Sequence, residues 1–142
     1  IRIFNTYGPR MKIDDGRVLP TLIHQASKNL NLTVNGDGNQ TRSFCYVDDL
    51  VDGFIKSMDS DYAYPINIGN DDEITINEIA SIIKILLNSN SKIIYNKLPE
   101  DDPLKRRPDI SLAKKILKWN PNVSKEVGFK HLINYYRVNK LI

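Results

Sequence analysis

The sequence predicts an α/β fold with too few sheet elements to be complete in itself. Short runs rich in β-branched and aromatic residues (RIFNTY, LTV, SFCYV, PINIG, KIIYN) alternate with segments whose apolar residues recur at helical spacing. The runs are few and irregularly spaced, so they read as part of a larger sheet system. With 142 residues the chain is long enough for one ordinary domain with its own core. A composition 41% hydrophobic and 26% charged is that of a globular chain rather than a disordered one.

Taken in order, residues 1–5 followed by Gly8-Pro9 read as a buried strand leaving a sheet into a turn. After the polar loop MKIDDGR, residues Leu19, Leu22, Ile23 and Ala26 fall at helical spacing. Strands at 32–34 and 43–47 flank NGDGNQTR, whose Asn-Gly and Asp-Gly pairs predict an irregular hairpin, because glycine tolerates positive φ. VDDLVDGFIKSM predicts a helix with an aspartate near its N-cap and Leu50, Val51, Phe54, Ile55 and Met58 on one face. PINIG is a short strand. Thr75 and Glu78 have the spacing of a capping box, opening a helix that buries Ile76, Ile79, Ala80, Ile83, Leu86 and Leu87. SKIIYNKL predicts another strand, and PEDDPLKRRPD a long loop pinned by Pro99, Pro103 and Pro108. Helices from about Ser111 to Leu117 and from about Ser124 to Val138 follow.

Composition excludes several function classes. A net charge of +3, from 20 basic and 17 acidic residues, is too small to make the whole surface a nucleic-acid footprint. Lys105, Arg106 and Arg107 have no aromatic stacking platform beside them, so no nucleic-acid partner is expected. The single cysteine, Cys45, excludes an internal disulfide, and with only His24 and His131 beside it there is no zinc spacing, so no metal is expected. The aliphatic stretch IASIIKILL is broken by Lys84 and too short to span a bilayer, and nothing resembles a signal peptide. A reducing, cytoplasmic setting is the expectation, with a membrane anchor outside these residues left open.

Three arginine-bearing loops stand out: one ending at Arg17, one at Arg42, and one carrying Arg106 and Arg107. Guanidinium groups bind phosphate and carboxylate oxygens bidentately, which suits a diphosphate or an acid sugar. The three loops read either as one convergent anion site or as separate solvated arginines. NGDGNQ is not a dinucleotide loop, because Thr41 stands where a third glycine is required. The acidic stretch NDDE at 70–73 lacks calcium-loop spacing and reads as a solvated charge cluster before a helix. His24 and His131 read as structural. Tyr136 and Lys140 have Tyr-x-x-x-Lys spacing, but at the end of the last helix this reads as coincidence.

The segments RIFNTYGPRM, DGRV, LTVNGDGNQTRSFCYVDDLVDG, PINIGN, DDPLKRRPDI and LKWNP, in this order, closely resemble the C-terminal half of the UDP-glucuronate decarboxylase (UDP-xylose synthase) family, within the extended short-chain dehydrogenase/reductases. NTYGPR and RSFCYVDDLVDG are shared by sugar-nucleotide epimerases and dehydratases generally, whereas DGRV with QTR and DDPLKRRPD points to the decarboxylases. The resemblance implies the C-terminal part of an NAD-binding Rossmann-type fold, mainly the small substrate-binding domain. Residues 1–10 would be a late sheet strand and its exit turn. Residues 11–142 would be mostly the UDP-sugar-binding domain, with 44–70 partly returning to the Rossmann sheet. The NAD-binding half and its catalytic Tyr-x-x-x-Lys would lie outside the chain.

The implied activity is conversion of UDP-glucuronate to UDP-xylose and CO2 by C4 oxidation, decarboxylation of the β-keto acid and re-reduction, with NAD held mainly by the other half. The chain alone is expected to be inactive, with Arg106 giving at most support to catalysis. By position, Asn5 would contact the diphosphate and Thr6 the NAD side of the cleft. Arg17 would reach the substrate, Arg42 the pyrophosphate, Arg106 the diphosphate and sugar, and Asp109 the uridine ribose. The backbone at Thr33 and Val34 would face the uracil, and Asn35 stands where an aromatic residue is expected. A 4-epimerase or 4,6-dehydratase of the same family, or a non-catalytic UDP-sugar-binding module, is the alternative. Expected partners are UDP-glucuronate, a second copy of the chain or the missing Rossmann half; the family usually forms homodimers.

Overall fold

The computed structural model describes residues 1–100 and 103–142. Asp101 and Asp102, in the middle of the predicted long loop, lie outside the described residues. Nine short strands and five helices follow one another: β1 (Arg2–Ile3), β2 (Thr6–Tyr7), α1 (Val18–Ser27), β3 (Leu32–Asn35), β4 (Thr41–Ser43), β5 (Cys45–Tyr46), α2 (Val47–Met58), β6 (Asn67–Ile68), β7 (Glu73–Thr75), α3 (Ile76–Leu87), β8 (Ile93–Asn96), β9 (Lys105–Arg106), α4 (Ser111–Ile116) and α5 (Lys125–Val138) among the described residues. Three sheets are parallel pairs, β1 with β6, β2 with β5 and β3 with β8. The fourth has the order β7-β4-β9, antiparallel on the β7 side and parallel on the β9 side.

Two apolar cores hold these elements. The larger packs Leu22 and Ile23 of α1, Ile79 and Ile83 of α3, and Phe129, Leu132 and Tyr136 of α5 around Leu32 and Val34 of β3. The smaller gathers Cys45, Leu50, Ile68, Ala113 and Trp119. Asp49 ties it to the approach to α5: its carboxylate accepts from the Asn122 and Val123 backbone amides at 3.1 and 2.9 Å, and its carbonyl from the Trp119 indole at 3.0 Å.

The predicted hairpin does not form. β3 pairs with β8 in parallel, and β4 with β7 and β9. Glycine does supply positive φ here, 67° at Gly36 and 75° at Gly38, but the turn leads from one sheet to another. Asn77, at the start of α3, captures it: its backbone N–H donates to the Gly38 carbonyl at 3.1 Å and its side chain to the Asp37 carbonyl at 2.9 Å. The opening strand is also not buried: β1 is two residues long, and Ile1 and Ile3 are about half exposed. Val51, Phe54, Ile55 and Met58 of α2 are exposed as well, because among the described residues only Leu50 of that set reaches a core. No side chain caps α2; Asp48 and Asp49 lie in its first turn instead. The predicted long loop contains β9.

Candidate functional site

The site is built around β4, the middle strand of its sheet. Arg42 on β4 stands in register with Arg106 on β9, so two guanidinium-bearing residues lie one strand spacing apart, roughly 4.7–4.9 Å. Arg42 is buried, and its Nη1 donates to the Thr41 carbonyl at 2.8 Å. Both residues line a cavity of about 190 Å³ whose other walls include Asn5, Thr6, Arg17 and Phe44. All three predicted arginine loops therefore converge. Asn5 and Thr6 join them because the Cys45 N–H donates to the Asn5 carbonyl at 2.8 Å, holding the opening segment against β5 next to β4. The Thr6 hydroxyl turns back to the Phe4 carbonyl at 2.8 Å.

Arg17 reaches this cavity from the turn at Gly16, where φ is 80°. Asp15 holds it: the Arg17 N–H and Nε–H donate to the two carboxylate oxygens at 3.0 and 2.6 Å, and Nη2 completes an ion pair. Burial pushes the Asp15 carboxyl up, but the hydrogen bonds from Arg17 outweigh it and hold the group below its ordinary range.

A second cavity, of about 460 Å³, adjoins the first through Val18 and Arg42. Thr21, Thr33, Asn35 and Gln40 give it a polar lining. The Gln25 carboxamide fixes Thr33 in both directions, donating to its hydroxyl at 2.8 Å and accepting from its N–H at 3.0 Å. Gln40 donates through Nε2 to the Asn35 carbonyl at 2.6 Å. Strand alternation sends Thr33 and Asn35 to the cavity and Val34 into the core, where it is buried.

The structure thus gathers Asn5, Thr6, Arg17, Arg42 and Arg106 around one cavity and Thr33 beside the next. It does not bring in Asp109, whose carboxylate accepts from the Ser111 N–H at 2.9 Å and is held below its ordinary range by Ser111. Thr21 carries no motif of its own, and Gln40, though it opens the QTR motif, becomes visible as a lining residue only when α1 and the 36–40 turn close on β3. Tyr136 is fully buried, its hydroxyl has no partner among the described residues, and burial pushes it up to about 12, so it does not form a working pair with Lys140. His131 Nδ1 lies 3.2 Å from the Tyr46 hydroxyl.

Among the described residues no three His, Cys, Asp or Glu side chains gather as a metal site, and no helix is long and apolar enough to cross a membrane. The 36–40 turn leads into β4 and opens no helix, so it has no helix N-terminus to offer a pyrophosphate, and Thr6 is the one predicted cofactor contact.

Residues 1–69 match the model of the NAD dependent epimerase/dehydratase family. The chain is 49% identical over 137 residues to UDP-glucuronic acid decarboxylase 3 of Arabidopsis thaliana and 48% identical over 135 residues to UDP-glucuronic acid decarboxylase 1 of Danio rerio. These alignments cover 96% and 95% of the chain but 40% and 32% of the relatives, so the chain spans about a third to two-fifths of their length. Its fold superposes on UDP-glucose 4-epimerase from Thermotoga maritima, solved with UDP-glucose, with a TM-score of 0.92 and 28% identity over 98% of this chain and 45% of that one. UDP-glucuronic acid 4-epimerase from Bacillus cereus, solved with UDP-glucuronic acid and NAD, superposes with a TM-score of 0.88 and 30% identity over 99% and 45%.

Proposed function

From a chain that is a homologue of the UDP-glucuronic acid decarboxylases, and whose residues 1–69 match the NAD dependent epimerase/dehydratase family, we propose the substrate-binding part of an enzyme that decarboxylates UDP-glucuronate to UDP-xylose. The observation that carries the reading is the in-register pair Arg42 and Arg106, faced by Arg17 across one cavity. Two neighbouring guanidinium groups present parallel N–H donors to oxygens on adjacent phosphates, which is the geometry a diphosphate accepts. Arg17, engaged by a carboxylate inside the chain, has the chemistry to engage a sugar carboxylate in its place.

The adjoining cavity fits the base. The Asn35 amide and the Thr33 hydroxyl can each donate, and Gln40, whose Nε2 donates to the Asn35 carbonyl, keeps its side-chain carbonyl oxygen as an acceptor. Two donors and one acceptor are the set that the acceptor, donor, acceptor imide edge of uracil calls for, and cytosine calls for a different one. Asn5 would add an amide to the diphosphate, and the Asp109 carboxylate would serve the ribose only after leaving the Ser111 amide. NAD use by the whole enzyme is supported by the family and by the NAD-bound epimerase; the residues described here supply Thr6 toward that side. A 4-epimerase is the second reading, favoured by the shared fold, but identity is 48–49% to the two decarboxylases and 28–30% to the two epimerases.

Calorimetric titration of the chain with UDP, UDP-glucuronate and CDP tests the reading. Arg42→Ala and Arg106→Ala are each expected to weaken UDP binding by about 1.5–3 kcal/mol, the scale of hydrogen bonds to charged groups. CDP is expected to bind at least about tenfold more weakly than UDP. A folded chain that binds no UDP, or binds it equally well without either arginine, overturns the assignment.

A further inference from the structure

Lys105, Arg106 and Arg107 are three consecutive cations, the first two on β9 and the third directly after it, yet the extended backbone sends them to two faces of the sheet. Arg106 lines the cavity. Lys105 Nζ and Arg107 Nη1 instead lie 3.7 and 3.8 Å from the same oxygen, Oε2 of Glu73 on β7. The other oxygen, Oε1, accepts from the Thr41 hydroxyl at 2.6 Å. Thr41 directly precedes Arg42, so the alternation repeats on β4: Thr41 turns to Glu73 and Arg42 to the cavity. The Thr41 hydroxyl first, and then the two cations, hold the Glu73 carboxyl below its ordinary range.

Glu73 closes an acidic stretch that is paired rather than simply solvated. Asp71 pairs with Lys114 of α4 at 2.8 Å, Asp72 with Lys125 of α5 at 2.7 Å, and Glu73 with both cations flanking Arg106. Each successive carboxylate thus secures a different element. β9 gains most from this, being two residues long and at the edge of its sheet.

We propose that Glu73 is a positioning residue for Arg106: by binding Lys105 and Arg107 on the far face, it fixes β9 against β4 and directs Arg106 into the cavity beside Arg42. This rests on the diphosphate reading of that cavity. The proposal opposes simple electrostatics, since removing an anion from the neighbourhood of an anion site should by itself tighten ligand binding.

The test is UDP affinity of the 142-residue chain, measured by calorimetry for the unaltered protein, Glu73→Gln, Arg106→Ala and the double variant. Glu73→Gln is expected to raise Kd about three- to tenfold, the sum of two exposed ion pairs and the strand they hold. It is expected to have no effect once Arg106 is alanine, because its action runs through that residue. Thr41→Val removes the short hydrogen bond without changing charge, is expected to weaken UDP binding in the same direction, and decides the matter should Glu73→Gln not fold. Unchanged or tighter binding in Glu73→Gln, or an equal loss with and without Arg106, overturns the proposal. If the unaltered chain binds no UDP, the diphosphate reading itself fails and this inference falls with it.

Discussion

Arg17 is not an open guanidinium waiting for a ligand. Asp15, two residues before it, occupies its N–H, its Nε–H and one of its terminal nitrogens. The Arg17 side chain is nevertheless 59% exposed, against 17% for Asp15, so the pair sits at the mouth of the cavity and is partly screened by water. A ligand carboxylate would exchange with an internal one of the same chemistry, at modest net gain. Neutralising the internal competitor therefore favours the external one. Asp15→Asn is expected to tighten UDP-glucuronate about threefold while leaving UDP, which has no carboxylate, nearly unchanged. Comparison of the two ligands by calorimetry checks it, and an equal change for both places Arg17 on the phosphates instead. Cys45, next in the chain to the cavity-lining Phe44, takes no part: burial, with the Asp49 carboxylate adding to it, pushes its thiol up to about 12.

At the scale of elements, local signals were legible and pairing partners were not. The capping box is present at α3: the Glu78 N–H donates to the Thr75 hydroxyl oxygen at 3.1 Å, and Glu78 Oε2 accepts from the Thr75 N–H at 2.8 Å. Four residues suffice to write that motif, whereas β3 finds its partner β8 about sixty residues along the chain, and no turn dipeptide encodes such a distance. The arginine loops were visible for a related reason, since residue type and loop position are local properties. The place of Gln40 and Thr21 in the cavity lining and the pairing of Asp71–Glu73 depend on which elements meet, so they were not visible. The cap also makes a pH prediction. The Thr75 N–H, and then its hydroxyl, hold the Glu78 carboxyl below its ordinary value. A lowered folded-state value means the contribution is complete above the unfolded value of about 4.3 and is lost as pH falls through the folded one. Thr75→Ala is expected to cost about 1 kcal/mol at pH 7 and clearly less at pH 3, as read by denaturant melts. An equal cost at both values would place the stabilisation in the hydroxyl alone.

At the scale of the whole molecule, two separate surface regions have opposite characters. One carries the arginine cavity and its polar neighbour, closed by α1 and β4. The other carries Ile1, Phe54, Met58, Tyr62 and Tyr64 around an open depression of about 430 Å³, continued by Ile3, Val51 and Ile55. β1 has one hydrogen-bonded neighbour among the described residues, so its other edge remains available. An apolar strip beside an unpaired strand edge favours association, because burying it removes apolar surface from water at about 25 cal/mol per Å². Sedimentation velocity of the chain is therefore expected to show a species heavier than the monomer, growing with concentration. Replacing Ile55 and Met58 together by lysine should return it to the monomer, since both side chains are exposed and belong to neither core. UDP affinity should be unchanged in that variant, because the apolar depression and the two polar cavities share no lining residue. Association that survives the double lysine substitution would move the interface elsewhere. Loss of UDP binding on dissociation would mean instead that the arginine cavity depends on a second copy.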